Sequence, residues 1–380
     1  MKIIVSPDSY KGCCSAAQAA QFMEDGILRV FPDAQVVKIP IADGGEGTVD
    51  ALLFAVGGQR ERQQVTGPLG SPVAADYAVL PDGVCVIEMA AASGLPLVPK
   101  EKLNPLTATS RGTGELIKTG LDRGCRKFIL GIGGSATNDA GLGMAQVLGF
   151  SFLDAQGREL GSGGRELARL DRVAADTADP RLRESSFTVA CDVRNLLCGP
   201  DGASAVYGPQ KGATPEMVAE LDLCLQNFAR VVKRDLGKDV SVLPGGGAAG
   251  GLGAALEAFC GASIQSGIDT ILDAVHFEER FEDCSLVITG EGSIDGQSAF
   301  GKVPVGVALR TKAYGPIPVF AVVGGMKPGA ERVYDFGIDA IIPTATGPMT
   351  LDEAILRAPE LISSAAERLM RVLRAGITYK

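Results

Sequence analysis

The chain has 380 residues, of which 46% are hydrophobic and 21% charged, and this balance excludes a wholly disordered protein. The net charge of −9 argues against a nucleic-acid partner or an anionic membrane surface, since both need a basic patch. Glycine is unusually common, with 50 copies that cluster after apolar runs, as in the ligand-binding loops of α/β enzymes.

Strands alternate with helices near both ends of the chain. The hydrophobic pattern predicts strands at residues 2–5, 35–39, 127–130, 286–289, 319–323 and 340–342. Helices are expected at 15–31, where Ser15 and Gln18 form a capping box, at 48–56 and at 359–373. Such alternation indicates crossover units and a parallel sheet. We therefore predict a Rossmann-like domain made from residues 1–58, 110–150 and 275–380.

The remaining segments have a different pattern. Turn signals separate short apolar runs between residues 65 and 89, which is typical of β-hairpins. A further strand is expected at 187–190, and residues 215–235 form an amphipathic helix whose apolar stripe should lie in the core. These segments predict a second, mixed α/β domain at residues 59–109 and 151–274, inserted in two pieces.

Four polar, glycine-rich loops follow apolar runs, and such loops meet at the carboxyl edge of a parallel sheet. The first, residues 7–12, places Asp8 and Lys11 three residues apart, in a turn that is either functional or a simple cap. The second, residues 42–48, holds Asp43 and Glu46 around a glycine pair, where the carboxylates either bind a metal or cap the next helix.

The third loop, residues 131–141, follows a strand and precedes a helix. Its small residues would let the backbone approach phosphate oxygens, and the helix start would supply amides and a positive dipole. The loop also matches the dinucleotide pattern G-x-G-x-x-A, with Asp154 at 23 residues from Gly131, but its long polar stretch suits phosphate and metal better. The residues predicted to contact phosphate are Gly133, Gly134, Ser135, Thr137, Asn138 and Gly141, with Asp139 as a metal ligand.

The fourth loop spans residues 290–296 and continues to 301–304. Residues 296–302 fit the start of a Walker A loop, but Val303 stands where Ser or Thr is required, so a true P-loop is excluded. Pro304 predicts a helix start, which places Lys302 at the positive helix end, where an anion must neutralise it. We therefore predict a phosphate partner for Lys302, with Glu291 and Asp295 as candidate metal ligands.

Histidine and cysteine limit the chemistry further. The single histidine, His276, excludes a multi-histidine metal site, and nine cysteines without CxxC spacing predict free thiols in a reducing compartment. Neither a signal peptide nor an apolar run of membrane-spanning length is evident, so we expect a cytoplasmic protein. The chemistry should depend on carboxylates, lysines, backbone amides and a divalent metal.

Several long motifs occur in order along nearly the whole chain: PDSYKG, ADGGEGT, GTGELI, GGSATNDAG, GPQKGA, PGGGAAGGLGAA and GEGSIDGQSAFGKVPVGVA. Together they resemble the type-1 glycerate kinase family of bacteria. The resemblance implies ATP-dependent phosphorylation of D-glycerate, with 2-phosphoglycerate favoured over 3-phosphoglycerate as the product. It also implies two domains with the active site in the cleft between them. The sequence departs from the family pattern at Tyr10, Cys13, Cys14, Ala140 and Ser293.

Roles for individual residues follow from this interpretation. The loop at 133–141 and Lys302 would bind the phosphates of ATP. Lys11, Arg111 and Lys211 would meet the carboxylate of the substrate. Mg²⁺ would draw its ligands from Asp43, Glu46, Asp139, Glu291 and Asp295.

The acceptor hydroxyl also needs a general base, because it must lose its proton during transfer. Asp192, directly after the strand at 187–190, is the predicted base, and Asp8 is its rival. Two other functions remain open from the sequence: an NAD(P)-dependent hydroxy-acid dehydrogenase, and a non-catalytic nucleotide-sensing module.

Overall fold

The structure is a computed structural model that describes residues 1–296, 298 and 302–378. Its strands are β1 (Lys2–Pro7), β2 (Gln35–Lys38), β3 (Gln59–Thr66), β4 (Pro72–Val79), β5 (Val84–Glu88), β6 (Lys127–Gly131), β7 (Ser151–Leu153), β8 (Arg172–Ala174), β9 (Ser186–Ala190), β10 (Ser263–Gln265), β11 (Cys284–Ile294), β12 (Val319–Met326) and β13 (Ala340–Pro343). Its helices are α1 (Ala16–Leu28), α2 (Thr48–Val56), α3 (Ala90–Ser93), α4 (Arg111–Asp122), α5 (Leu142–Val147), α6 (Ala203–Tyr207), α7 (Pro215–Leu236), α8 (Ala248–Cys260), α9 (Gly267–Ala274), α10 (Val303–Tyr314), α11 (Leu351–Leu356) and α12 (Ala358–Thr378).

The chain packs into two compact units. The first comprises Met1–Asp43, Asp50–Gly57 and the described residues from Ile268 onward, and the second comprises Gly44–Val49 and Gly58–Gly267. This division differs from the expected domains, because residues 110–150 lie in the second unit. The physical reason is strand pairing, since β6 lies between β5 and β9 and is parallel to both. The pattern of a buried parallel strand does not specify which sheet it joins.

The first unit contains a parallel sheet with the strand order β13-β12-β11-β1-β2. In its centre, Ile4 of β1 lies opposite Val287 of β11 on one side and Val37 of β2 on the other. The core joins these strands to α1 and α12, which contribute Met23 and Ile362 among other fully buried side chains. The predicted Rossmann-like parallel sheet is confirmed here.

The second unit contains a mixed sheet with the strand order β10-β9-β6-β5-β4-β3. Strands β10, β9, β6 and β5 are parallel, whereas β4 pairs antiparallel with β5, as the predicted hairpin, and with β3 on its other side. Strand β3 was not predicted, because its sequence QRERQQVT is mostly polar and the strand lies exposed at the sheet edge. The apolar stripe of α7 is buried in the core of this unit, as expected.

Two further features concern the cysteines and the apolar character of the helices. All nine cysteines are free thiols, as their spacing predicted. None of the helices in the described part of the chain combines the length and apolar character that a membrane crossing requires.

Candidate active site

A cavity of about 540 Å³ opens at the carboxyl edge of the first sheet. Its charged lining comes from β11 near its carboxyl end and from the loops that follow β1, β2, β11 and β12, as expected for a parallel sheet. Its charged side chains are Asp8, Lys11, Asp43, Glu291, Asp295, Lys302 and Lys327. The structure therefore brings six of the sequence-predicted residues together. Sequence reasoning missed Lys327, although it lies in the glycine-rich segment 324–329 at the carboxyl end of β12.

Lys302 is the N-cap residue of α10, as Pro304 predicted. Its Nζ lies 3.9 Å from Glu291 Oε2 and 3.7 Å from Asp295 Oδ1, so two carboxylates partly neutralise it. The Ser298 hydroxyl donates a hydrogen bond to Glu291 Oε1 at 2.9 Å. Residues 297 and 299–301 of the predicted fourth loop lie outside the described residues.

Asp8 follows β1 and is 7% exposed. Its Oδ1 accepts a hydrogen bond from the Ser9 amide at 2.6 Å. Burial, and then the charge of Asp43, raise the pKa of Asp8 to about 7, although the Ser9 hydrogen bond and the Lys11 charge oppose the shift. A carboxyl group with this pKa can accept a proton near neutral pH.

Glu291, the second buried carboxyl group of the cavity, also has a raised pKa. Glu291 is also 7% exposed, and burial raises its pKa, whereas Lys302 acts in the opposite direction. The exposed side chain of Lys11 places its Nζ 3.8 Å from Asp43 Oδ2. The charged end of the cavity thus holds two buried carboxyl groups beside two accessible lysines.

The raised pKa of Asp8 predicts a pH-dependent effect of Asp8→Asn on stability. A carboxyl whose folded pKa lies above its unfolded value of 3.8 stabilises the fold when protonated, and this contribution is lost as pH rises toward 7. Asparagine does not ionise, so Asp8→Asn does not lose stability in this way. Its free energy of unfolding relative to wild type should therefore rise by about 2–3 kcal/mol between pH 5 and pH 8. Urea unfolding at both pH values measures the free energy of unfolding of the two proteins. A difference between them that does not change with pH would contradict the prediction.

The glycine-rich loop at 131–141 in the second unit is largely buried, with only Gly133 and Gly134 exposed. Asp139 is fully buried and accepts hydrogen bonds from the Ser110 amide at 2.9 Å and hydroxyl at 2.8 Å. The amides of Gly141 and Gly143 also donate to its carboxylate. Burial raises the pKa of Asp139, and these hydrogen bonds lower it. Through these hydrogen bonds the Asp139 carboxylate links the loop to α4 and α5. Because its oxygens already have partners in the protein, the geometry does not support its predicted role as a metal ligand.

The start of α5 differs from the predicted phosphate site. The helix has six residues, and its first amides have partners within the protein. Leu142 donates to the Asp139 carbonyl, and Met144 donates to the Ser110 hydroxyl. The amides of Gly141 and Gly143 are bonded to the Asp139 carboxylate, so the amides of residues 141–144 all have hydrogen-bond partners within the protein. The geometry therefore does not support phosphate binding by these amides.

Lys211 also differs from its predicted role in substrate binding. Its side chain is 1% exposed, and its Nζ donates to Ser135 Oγ and to the Thr137 carbonyl, both at 2.7 Å. Burial lowers the pKa of Lys211 to about 7, against the opposing charge of Asp139. The lysine supports the 131–141 loop from inside, where a substrate carboxylate cannot reach it without displacing protein atoms.

The glycine run at the start of α8 packs against the same loop. A Cβ at Gly250, where φ is +68°, would lie 2.1 Å from the Thr137 carbonyl oxygen, so only glycine allows this approach. Ala140, at one of the departures from the family pattern, has a φ of 45°. That left-handed conformation explains why glycine suits this position.

The other predicted residues of the second unit are accessible but dispersed. Asp192 follows β9, is exposed, and accepts a hydrogen bond from the Gly267 amide at 2.8 Å. Glu46 is exposed in the second glycine-rich loop. Arg111 Nε lies 3.2 Å from Glu115 Oε1 at the start of α4, where Arg111 lines a separate shallow hollow. The predicted substrate residues Lys11, Arg111 and Lys211 therefore do not form one cluster within either unit.

Comparison with known proteins places the chain in a family. The model of the glycerate kinase family matches residues 3–374. "Glycerate 2-kinase" of Escherichia coli K12 is 50% identical over 378 residues, which cover 99% of each chain. "Glycerate kinase" of Bacillus subtilis 168 is 48% identical over 378 residues, covering 99% of this chain and 98% of the relative.

A solved structure agrees with these sequence relatives. A crystal structure from Salmonella typhimurium LT2, provisionally named glycerate kinase 2, is 47% identical, with a TM-score of 0.90 and complete coverage of both chains. The family match spans both units of the fold and all the loops described above. The chain therefore belongs to the glycerate kinase family.

Proposed function

We propose that this protein transfers a phosphoryl group from ATP to the 2-hydroxyl of D-glycerate. The observation that carries the proposal is the relative named "Glycerate 2-kinase", which is 50% identical over almost the full length of both chains. The cavity of the first unit agrees with this chemistry, because phosphoryl transfer depends on positioned carboxylates, cations and a metal rather than on histidine. The family match gives no support to a dehydrogenase or to a nucleotide-sensing module.

The cavity residues fit a magnesium ion that is shared with the nucleotide. Mg²⁺ prefers oxygen ligands and commonly binds through one or two carboxylates together with substrate phosphates and waters. Asp43, Glu291 and Asp295 supply such oxygens at the charged end. No set of three or more potential ligands among the described residues is arranged to hold a metal by itself. Bound there, the ion would neutralise charge on the phosphates during transfer.

Two lysines and one carboxyl group have separate proposed roles at this end of the cavity. Lys302 stabilises negative charge on the transferred phosphoryl group, and Lys11 binds the acceptor carboxylate. Asp8 removes the proton of the acceptor hydroxyl, in place of Asp192. Its raised pKa and its position beside Lys11 favour this assignment, whereas Asp192 is exposed and already accepts the Gly267 amide.

The proposal predicts ADP release that depends on D-glycerate when ATP and Mg²⁺ are present, with lactate a poor acceptor. A coupled assay measures ADP, and phosphorus NMR of the product identifies the phosphorylated hydroxyl. Equal ADP release with and without glycerate would overturn the proposal. A 3-phosphoglycerate product would retain the kinase and reject the 2-hydroxyl.

A further inference from the structure

The cavity of the first unit has an apolar end as well as a charged end. Helices α11 and α12 form the apolar wall, which consists of Leu351, Ala354, Ile355, Ala358 and Ile362. Leu351 is 75% exposed and Ile355 is 36% exposed. Exposed aliphatic side chains in a concave site are typical of ligand contact, because water solvates them poorly.

Two glycines also line the cavity. Gly324 and Gly325 of β12 line the cavity, and β12 lies next to β11, which carries Glu291. A Cβ at Gly325 would meet no atom within 4 Å, so this strand position faces open space. Lys327 and Thr344, which follow β12 and β13, also line the cavity. The cavity lining thus combines carboxylates and lysines with glycine backbone and an aliphatic wall.

We propose that this aliphatic wall binds the nucleobase of ATP, with the triphosphate extending over Gly324 and Gly325 toward Lys302. The inference rests on the proposed function and assigns the nucleotide to the first unit, not to the predicted loop at 131–141. A nucleobase has flat apolar faces that pack on aliphatic side chains, whereas its phosphates need cations and a metal. The volume of about 540 Å³ lies within the range of small-ligand sites.

The acceptor does not fit this end of the cavity. Glycerate has three carbons, each bearing oxygen, and it offers no apolar surface to match an aliphatic wall. Its carboxylate and hydroxyl groups suit the charged end, near Lys11 and Asp8. The opposite chemistry of the two ends therefore separates the base from the reacting groups.

Gly325→Leu tests the position of the nucleotide. The added side chain fills the open space at this position, and no positive φ opposes the substitution. Calorimetric titration of MgATP without glycerate should show a loss of affinity of at least 30-fold. Gly315→Leu is the matched control, because Gly315 also has open space and an extended backbone but does not line the cavity. Unchanged MgATP affinity in a folded Gly325→Leu protein would overturn the inference.

A second variant tests the base itself and does not depend on filling the space at Gly325. The double substitution Leu351→Ser and Ile355→Ser shortens two exposed wall residues. We expect MgATP affinity to fall by at least 10-fold, whereas magnesium tripolyphosphate, which has no base, should bind as it does to wild type. Equal weakening of both probes, or of neither, would reject the wall as the base site. If the variants show these binding effects and wild-type protein does not phosphorylate glycerate, the proposed function alone is rejected.

Discussion

Lys302→Ala should lower turnover by orders of magnitude and leave the thermal midpoint nearly unchanged. The lysine lies at the positive end of α10, in the cavity with Glu291 and Asp295. Its removal deletes a charge that stabilises the transferred phosphoryl group. The effect on folding is small because two contributions oppose each other. The variant loses attraction to the carboxylates, but it also loses an unfavourable interaction with the helix dipole, which is worth a few tenths of a kcal/mol.

Lys118→Ala is a suitable control for this variant. Lys118 is also paired with a carboxylate, and its side chain is 46% exposed compared with 40% for Lys302, but it lies on α4 outside the cavity. Initial rates at saturating glycerate and thermal melts of both variants provide the comparison. A large drop in the melting temperature of Lys302→Ala, with normal activity per folded molecule, would show that this lysine is structural.

Asp8→Asn should lower kcat by about 100-fold or more with little change in ATP affinity. The substitution keeps the size of the side chain and removes its ability to accept a proton, and loss of a general base has this magnitude. Asp192→Asn is the matched variant, because it makes the same change at the other candidate. Asp192 is exposed and bonded to the Gly267 amide, so we expect a much smaller effect there.

The pH dependence provides a second readout for Asp8. The base acts when deprotonated, and the pKa of Asp8 in the free protein is about 7, so kcat/KM for glycerate should rise with pH through this value. In Asp8→Asn the residual rate should lose this dependence. If Asp192→Asn abolishes turnover while Asp8→Asn retains it, the base is Asp192. If both variants retain turnover, neither carboxylate is the base.

Local features of this protein could be predicted from sequence because they depend on neighbours along the chain. The Ser15 capping box, the start of α10 after Lys302 and the hairpin of β4 and β5 all follow rules that span a few residues. Loops after parallel strands meet at one sheet edge, which is why Asp8, Glu291 and Lys302 could be named together as site residues.

Burial within the second unit could not be read from the same motifs. Asp139 and Lys211 look like accessible ligands in sequence, since both lie in polar, glycine-rich segments. In the structure both are buried, and their hydrogen-bond partners include Ser110 and Ser135, 29 and 76 residues away in the chain. A charged side chain that forms hydrogen bonds within a folded loop can have the same local sequence as one that binds a ligand.

The sequence by itself determined the parallel-sheet class, the family and six of the seven charged residues of the first cavity. Only the tertiary structure decided that β6 pairs in the second sheet, and that α11 and α12 form an aliphatic wall beside those charges. Element type follows from hydrophobic periodicity, which is local. Sheet membership and the composition of a cavity depend on which distant segments come together. Asp8 and Ile355, hundreds of residues apart, line the same cavity, and a single sequence has no local signal for this.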